Sequence, residues 1–446
     1  VWCGAFRDYN VAVMKVSVLF ICAAATMAMA QEYDLLLQGG HVIDAKNQIS
    51  GRRDVAIKDG KIAEVAPNIA ASRARRTVDV SGLYVTPGLV DIHVHVFAGD
   101  GREYMGPSSV SADDHTFRAG VTTVVDAGSS GWKSFPYFKY RNIDRSRTRV
   151  LALLNIVGTG MGGGADIEQN IDDMDPRATA ERVKEYRQLI VGIKTAHYAH
   201  PDWIAVDRAL EAAKAADVPL MVDFGRFTNE RPFETLVTEK LRPGDMYTHM
   251  YLGAVPIFDA NGKVRDYLWQ ARKRGVLFDV GHGGGSFLFR QAVPAMKQGW
   301  VPDSISTDLH IGSMNAGMKD QLNVMSKFLN MGMTMDDVIA KSTWAPARQI
   351  KREELGHLSV GAGADVAVLR LETGDFGFID VNGARMKGTK RLRAELTLRD
   401  GQVVWDLNGL AAPDWETLPK DYGFQGGSRR TGGAGGTRER VRRVPR

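Results

Sequence analysis

The sequence predicts an α/β fold: a (β/α)8 TIM-type barrel with a small composite β-sandwich domain formed by the N- and C-terminal segments. Three observations predict it. Eight short apolar runs alternate with helical stretches across residues 87–357, which is the length and rhythm of such a barrel. β-rich segments lie on both sides of that region, at 31–86 and 358–410, and both turn at an Asp-Gly pair. Titratable residues gather where the apolar runs stop, and in such a barrel the C-terminal strand ends surround one site.

In chain order, residues 1–30 come first. Residues 1–13 read as upstream translation. From Met14 the chain runs "MKVSVLFICAAATMAMA", one lysine, an apolar stretch and an A-x-A site before Gln31. This is the pattern of a secretory signal peptide cleaved after Ala30, so the expected location is secreted or periplasmic. The apolar run is too short to span a bilayer. Both cysteines, Cys3 and Cys22, fall in this segment. The remaining chain therefore has no thiol ligand or nucleophile, and a metal must be held by His, Asp, Glu or Lys.

Residues 31–86 read as short strands, with "RDVAIKDGKIAEVAP" a hairpin about Asp59-Gly60. In the barrel region the strand ends are "LVDIHVH", "VTTVVDAG", "VLALLNIVG", "IVGIKTAH", "PLMVDFG", "MYTHMY", "VLFDVGHG" and "SISTDLH". "DWIAVDRALEAAKAAD" and "MKDQLNVMSKFLNMG" are helices between them. "ADVAVLRLE" (364–372) and "ELTLRDGQVVWDL" (395–407) return to strand. Residues 411–446 form a tail whose Gly/Arg-rich end is expected to be disordered.

The net charge of +5 does not indicate nucleic-acid binding. Residues 428–446 carry seven Arg and one Glu, and the body from 31 to 427 is close to −2. The expected partner is a small molecule, with no nucleic acid and no membrane span, and a homo-oligomer is admitted.

The chemistry begins at "PGLVDIHVH" (87–95). Alternation along a strand puts Asp91, His93 and His95 on one face. Two imidazoles side by side are poor core residues and a sound start for a metal site. Lys194, Asp223, His249 and Asp308 stand at other strand ends, and His282 at a further one. Each has a bland alternative: a surface lysine, a turn residue before Gly225, a core histidine, a helix cap, a structural strand-end histidine. Their joint placement at successive strand ends favours a metal centre.

In this order, "TPGLVDIHVH", a fourth-strand Lys, a sixth-strand "TH" and an eighth-strand Asp resemble the signature of the amidohydrolase superfamily. The segments "GHGGGSF" (281–287) and "STDLHIGSMNAGMKDQLNVMSKFLNMGMTMDDVIAKSTWAPAR" (306–348) resemble its amidohydrolase/deacetylase metallohydrolase branch, many members of which are labelled dihydroorotases. The resemblance covers roughly residues 33–410. It implies that His93, His95 and Asp308 bind one divalent metal, zinc being the expected ion. It also implies that Lys194 is carbamylated to bridge two metals and that His249 binds the second. The usual fifth-strand histidine is replaced by Asp223, which either ligates that second metal or orients a neighbour in a one-metal centre. A bound metal lowers the pKa of water from about 15.7 towards ~7. Asp308 would be the general base acting on that water, and His282 would hydrogen-bond the substrate.

Three functions compete. The first is a hydrolase of acyl esters or amides, a deacetylase type. The second is a cyclic-amide hydrolase of the dihydroorotase or hydantoinase kind. Dihydroorotases typically carry His-x-His-x-Arg, and here Phe97 stands at the arginine position, which favours the first. The third, a non-catalytic scaffold, fits poorly with a complete set of His, Lys and Asp. Asn155, Arg226 and the loop "GTGMGGGAD" (158–166) are the expected pocket wall, together with His282.

Overall fold

The structure is a computed structural model and describes residues 31–97, 108–161 and 166–423. The leader-like segment 1–30, the Gly/Arg tail from 424 and the centre of the glycine-rich loop (162–165) lie outside the described residues. Among the described residues no helix is long and apolar enough to cross a membrane.

Among the described residues five strands come first: β1 (Leu35–Asp44), β2 (Ile49–Lys58), β3 (Lys61–Ala66), β4 (Thr77–Asp79) and β5 (Tyr84–Pro87). Seven parallel strands follow: β6 (Leu89–Val94), β7 (Val121–Gly131), β8 (Arg149–Asn155), β9 (Ile190–Ala196), β10 (Leu220–Asp223), β11 (Met246–Tyr247) and β12 (Leu277–Phe278). They lie side by side in sequence order, β6 at one edge and β12 at the other. Segment 304–309 joins these two edges. Ser304 bridges Asp279 beyond β12, and Leu309 bridges Val94 on β6, both in parallel. The N–H of His95 donates to the carbonyl of Leu309 at 2.9 Å. The barrel is thus closed at its eighth position by a segment too irregular to be a strand. Its irregularity has a local cause: Ser304 and Ser306 donate their hydroxyls to Asp279 at 2.6 Å each, and Asp308 has left-handed backbone, φ 53°.

A second β-region follows the barrel: β13 (Val366–Ile379), β14 (Arg385–Arg399) and β15 (Gln402–Asp406). These strands join β1–β5 in one hydrogen-bonded sheet ordered β15-β14-β13-β5-β1-β2-β3, with β4 beside β1. The sheet encloses its own apolar cluster, including Leu37, Val55, Ile57, Val85, Val366, Leu396 and Leu398. Both Asp-Gly pairs are two-residue hairpin turns with positive φ at each position: Asp59 50° and Gly60 72°, Asp400 49° and Gly401 74°. That geometry matches the strand twist, and Asp-Gly tolerates it. The two turns abut, since a Cβ on Gly60 would stand 2.9 Å from the carbonyl oxygen of Asp400.

Helices cover the barrel. Ile204–Ala216 buries Ala205, Val206, Ala209, Ala212, Ala213 and Ala216, a helical spacing of small residues that lets the helix lie close on the strands. Gln321–Asn330 is capped by Asp320, which accepts from the N–H of Asn323 at 2.7 Å.

Candidate metal centre

At the C-terminal end of the barrel, His93 and His95 on and just past β6, Lys194 on β9, Asp223 ending β10, His249 just past β11 and Asp308 on the closing segment converge. Two overlapping donor sets, His93/His95/Asp308 and His93/Asp223/His249, each have their ligand atoms within 4.8 Å of one another. Nε2 of His95 and of His93 lie 3.1 and 3.6 Å from Oδ1 of Asp308. Nε2 of His249 lies 3.1 Å from Oδ1 of Asp223. Around a tetrahedral ion with bonds of about 2.0–2.1 Å, neighbouring ligand atoms are about 3.4 Å apart, so these separations suit a metal.

The histidines are aimed from behind. Nδ1 of His93 is 3.0 Å from the Thr248 hydroxyl, which itself donates to buried Asp279 at 2.8 Å. Nδ1 of His95 is 2.8 Å from the Ser129 hydroxyl, on a turn fixed by Asp126. Nδ1 of His249 meets the Gly281 carbonyl at 2.6 Å. Each ring therefore turns Nε2 towards the centre, the arrangement that metal-binding histidines require. Gly281 has φ 46°, and a Cβ there would come within 2.2 Å of the Thr248 hydroxyl, so only glycine admits this packing. His249 and Asp308 themselves have left-handed backbone (φ 64° and 53°), an uncommon conformation that recurs at functional sites.

Electrostatics agree with the geometry. Burial, and then the Lys194 ammonium, push His93 well below the usual imidazole range, leaving it neutral as a ligand must be. Burial opposes ionisation of Asp223 and Asp308. Histidine and lysine neighbours outweigh it for Asp223, and His93 and His95 outweigh it for Asp308, so both carboxyls sit below the ordinary range. Lys194 is fully buried, 3.1 Å from both His93 Nε2 and Asp223 Oδ2. The donor set of nitrogens and carboxylate oxygens fits a divalent ion, with His93, His95 and Asp308 as one ligand group and Asp223 and His249 beside it.

Other expected residues are placed differently. Asp91 is not among the convergent donors. It accepts from the N–H and hydroxyl of Thr307 at 3.1 and 2.5 Å, clamping β6 to the closing segment, and burial pushes its carboxyl up to about 7. The His282 imidazole is occupied elsewhere: it stacks on Phe287 at 4.5 Å, with Nε2 2.6 Å from Lys327 Nζ and Nδ1 3.0 Å from the Gly283 carbonyl. The sequence reading expects this ring to hydrogen-bond the substrate, and in the structure both ring nitrogens have protein partners. Lys327, buried beside the ring and lowered by that burial to about 7, is the partner of Nε2. Asn155 is buried, its amide donating to the Gly128 carbonyl at 3.1 Å and to Glu168 at 3.2 Å, so it braces the site from within. Arg226 is exposed, and its carbonyl accepts from Arg231.

Sequence reasoning missed several neighbours: Thr248, Asp279 and Ser129 behind the ligands, the pair Glu168–His197, and His310. His197, His310 and Thr248 each stand in a strand-end string quoted above, beside the residues singled out. A cavity of about 570 Å³ opens at the opposite end of the barrel, lined by Arg242, Lys341 and Arg348 among others, and holds none of the ligand groups.

Comparison with known proteins accords with this geometry. The model of the amidohydrolase family matches residues 289–404. A deacetylase of Enterococcus faecalis is 30% identical over 381 residues, covering 83% of this chain and 99% of the relative. A deacetylase of Agrobacterium fabrum is 35% identical over 337 residues, covering 73% of this chain and 80% of the relative. The crystal structure of an adenine deaminase superposes with a TM-score of 0.76 at 29% identity, over 84% of this chain and 100% of that one. That of a dihydroorotase gives 0.70 at 29%, over 83% and 99%. Nearly whole-length likeness to deacetylases, on a barrel whose strand ends bring His and Asp donors together, leads to one conclusion: this chain belongs to the amidohydrolase family, on its deacetylase-like branch.

Proposed function

We propose that the protein is a metal-dependent hydrolase of the deacetylase type, cleaving an acyl ester or acyl amide of a small molecule. The observation that carries this reading is the convergence of His93, His95, Asp223, His249 and Asp308 at one end of the barrel. Zinc is the ion that best suits a donor set of three imidazoles and carboxylates. When bound, a divalent ion supplies Lewis acidity and makes water a better nucleophile at neutral pH.

The chain's own groups do the rest. Asp308 is ionised at neutral pH, with Oδ1 towards His93 and His95 and its second oxygen available to a water. It accepts the proton of the attacking water and returns it to the leaving alcohol or amine. Lys194, if carbamylated, changes from a buried cation into a carboxylate ligand, which suits a binuclear centre. Asp223 already places one carboxylate there, 3.1 Å from the lysine.

Dihydroorotase-type chemistry is the second reading, and Phe97 disfavours it. Its ring is buried against Phe138, centroids 4.9 Å apart, so this position offers no guanidinium for a substrate carboxylate. The leader-like segment 14–30 supports the same ranking, because pyrimidine synthesis is cytosolic. The test is metal analysis of the purified protein, with assays on acetyl esters, N-acyl amino acids, dihydroorotate and hydantoins. Bound zinc with ester or N-acyl hydrolysis is expected. Turnover of dihydroorotate alone would reverse the ranking, and full activity after exhaustive chelation would end the metal reading.

A further inference from the structure

His310 stands two residues past Asp308, where the closing segment enters the short helix Ile311–Asn315. Its ring is held from behind, because the backbone N–H of Gly312 donates to Nδ1 at 3.1 Å. The N–H of His310 itself donates to the Ser313 hydroxyl at 2.9 Å, and that hydroxyl donates to the Asp308 carbonyl at 2.7 Å. One buried serine thus braces both His310 and the left-handed backbone of Asp308.

An imidazole nitrogen that accepts from an amide N–H has its lone pair free, so the proton of this neutral ring sits on Nε2. Nε2 lies 4.0 Å from Oδ2 of Asp308, the oxygen that is not turned towards His93 and His95. The His310 ring meets His95 edge-on at 6.2 Å, and its side chain keeps 22% exposure, so it borders the centre from the open side. A gap of 4.0 Å is too long for a direct hydrogen bond and accommodates one heavy atom bonded to both groups.

We propose that His310 is a catalytic hydrogen-bond donor whose Nε2–H holds the leaving-group atom of the substrate, an ester oxygen or amide nitrogen, in the gap beside Asp308. The inference rests on the hydrolase reading above. In the step it serves, the bond from the acyl carbon to the leaving atom breaks and the electron pair stays on that atom. The proton that Asp308 took from water passes to it, while His310 donates its hydrogen bond and keeps its own proton. The donor matters most where the leaving group is poor, an alkoxide or an amine, and little where it is a stabilised phenolate.

The test compares wild type, His310→Phe and His310→Gln on acetate esters running from nitrophenol to simple alcohols, with metal content measured for each. Losing one such donor costs about 10²–10³ in kcat, so His310→Phe should lose about that on alkyl esters and no more than about threefold on nitrophenyl acetate. Metal content should be unchanged. His310→Gln, whose amide N–H reaches the Nε2 position, should recover part of the alkyl-ester rate. A loss equal for all leaving groups, no loss, or loss of metal from His310→Phe would overturn the proposal. If wild type hydrolyses nitrophenyl acetate but no alkyl ester, the proposal fails while the hydrolase reading stands. Wild type that hydrolyses none of the series overturns the proposal, and wild type that also leaves N-acyl amino acids intact overturns both.

Discussion

Lys194 and Asp223 form an ion pair in which both side chains are buried, Nζ to Oδ2 3.1 Å. The resemblance led to a histidine at the end of the fifth barrel strand, and the aspartate there answers the lysine's charge as well as offering an oxygen to a metal. Removing one partner of a buried pair leaves an uncompensated charge, at about 3–5 kcal/mol, whereas replacing both is far less costly. Asp223→Asn should therefore lower the unfolding free energy of the metal-free protein by about that much, and Lys194→Met/Asp223→Leu should regain most of it. Denaturant titration of the three proteins measures this. Equal stability of Asp223→Asn and wild type would show that Lys194 does not carry its charge in the fold.

Thr248 connects His93 to Asp279 through one hydroxyl. Valine has the same shape and no oxygen, so Thr248→Val leaves the packing and removes the hydrogen bond that fixes the ring. Such partners of metal ligands are typically worth about 10–100-fold in metal affinity. Thr248→Val should bind metal that much more weakly by competition with a chromophoric chelator. An unchanged affinity would mean that packing alone orients His93.

The barrel, the two Asp-Gly hairpins and the convergent donors were legible in the sequence for a shared reason. Each is set by local rules: alternation in β6, paired positive φ at Asp59-Gly60 and Asp400-Gly401, and titratable residues at strand ends. The long β13–β14 hairpin was read only at its base. Its outer half, from Arg370 to Arg393, is mostly exposed, and register shifts at Leu369 and Phe376 interrupt the alternation that would have marked it. The contact of His282 with Lys327 was not legible, because the lysine comes from a distant helix and no spacing rule links them. The Glu168–His197 and Thr248–Asp279 contacts were invisible likewise, being set by how separate loops fold over the barrel end.

The Glu168–His197 pair gives the fold a pH dependence. The His197 side chain keeps 48% exposure; the desolvation it does undergo works against its charge, but the Glu168 carboxylate 2.7 Å from Nδ1 outweighs that and raises the imidazole to about 9. A histidine raised in the folded state contributes stability that is fully present below its unfolded pKa of about 6.5, and loses it as pH rises through the folded value. Glu168→Gln removes the counter-charge. Wild type should exceed this variant in unfolding free energy most clearly near pH 6, and the excess should fade as pH passes about 9. Denaturant unfolding across that range reads it out. A difference constant with pH would assign the effect to the Asn155–Glu168 hydrogen bond instead.

Asp308 is the residue on which the chemistry turns. Its closing-segment position sets Oδ1 against His93 and His95, and its left-handed backbone, held by Ser313, leaves the other oxygen facing Gly283 and His310. Asparagine keeps the shape and one oxygen donor but cannot take a proton. Loss of a general base typically costs a factor of about 10²–10⁴, so Asp308→Asn should lower kcat by at least that range while keeping most of its metal. Because the histidines hold the wild-type carboxyl below the ordinary range, the base stays ionised through neutral pH. Activity that depends on it should be lost only as pH falls beneath that range. In the variant this acid-side loss should disappear from whatever rate remains. A variant with near-wild-type kcat and an unaltered profile would place the base elsewhere, and Asp223, the other ionised carboxylate of the centre, would be the residue to change next.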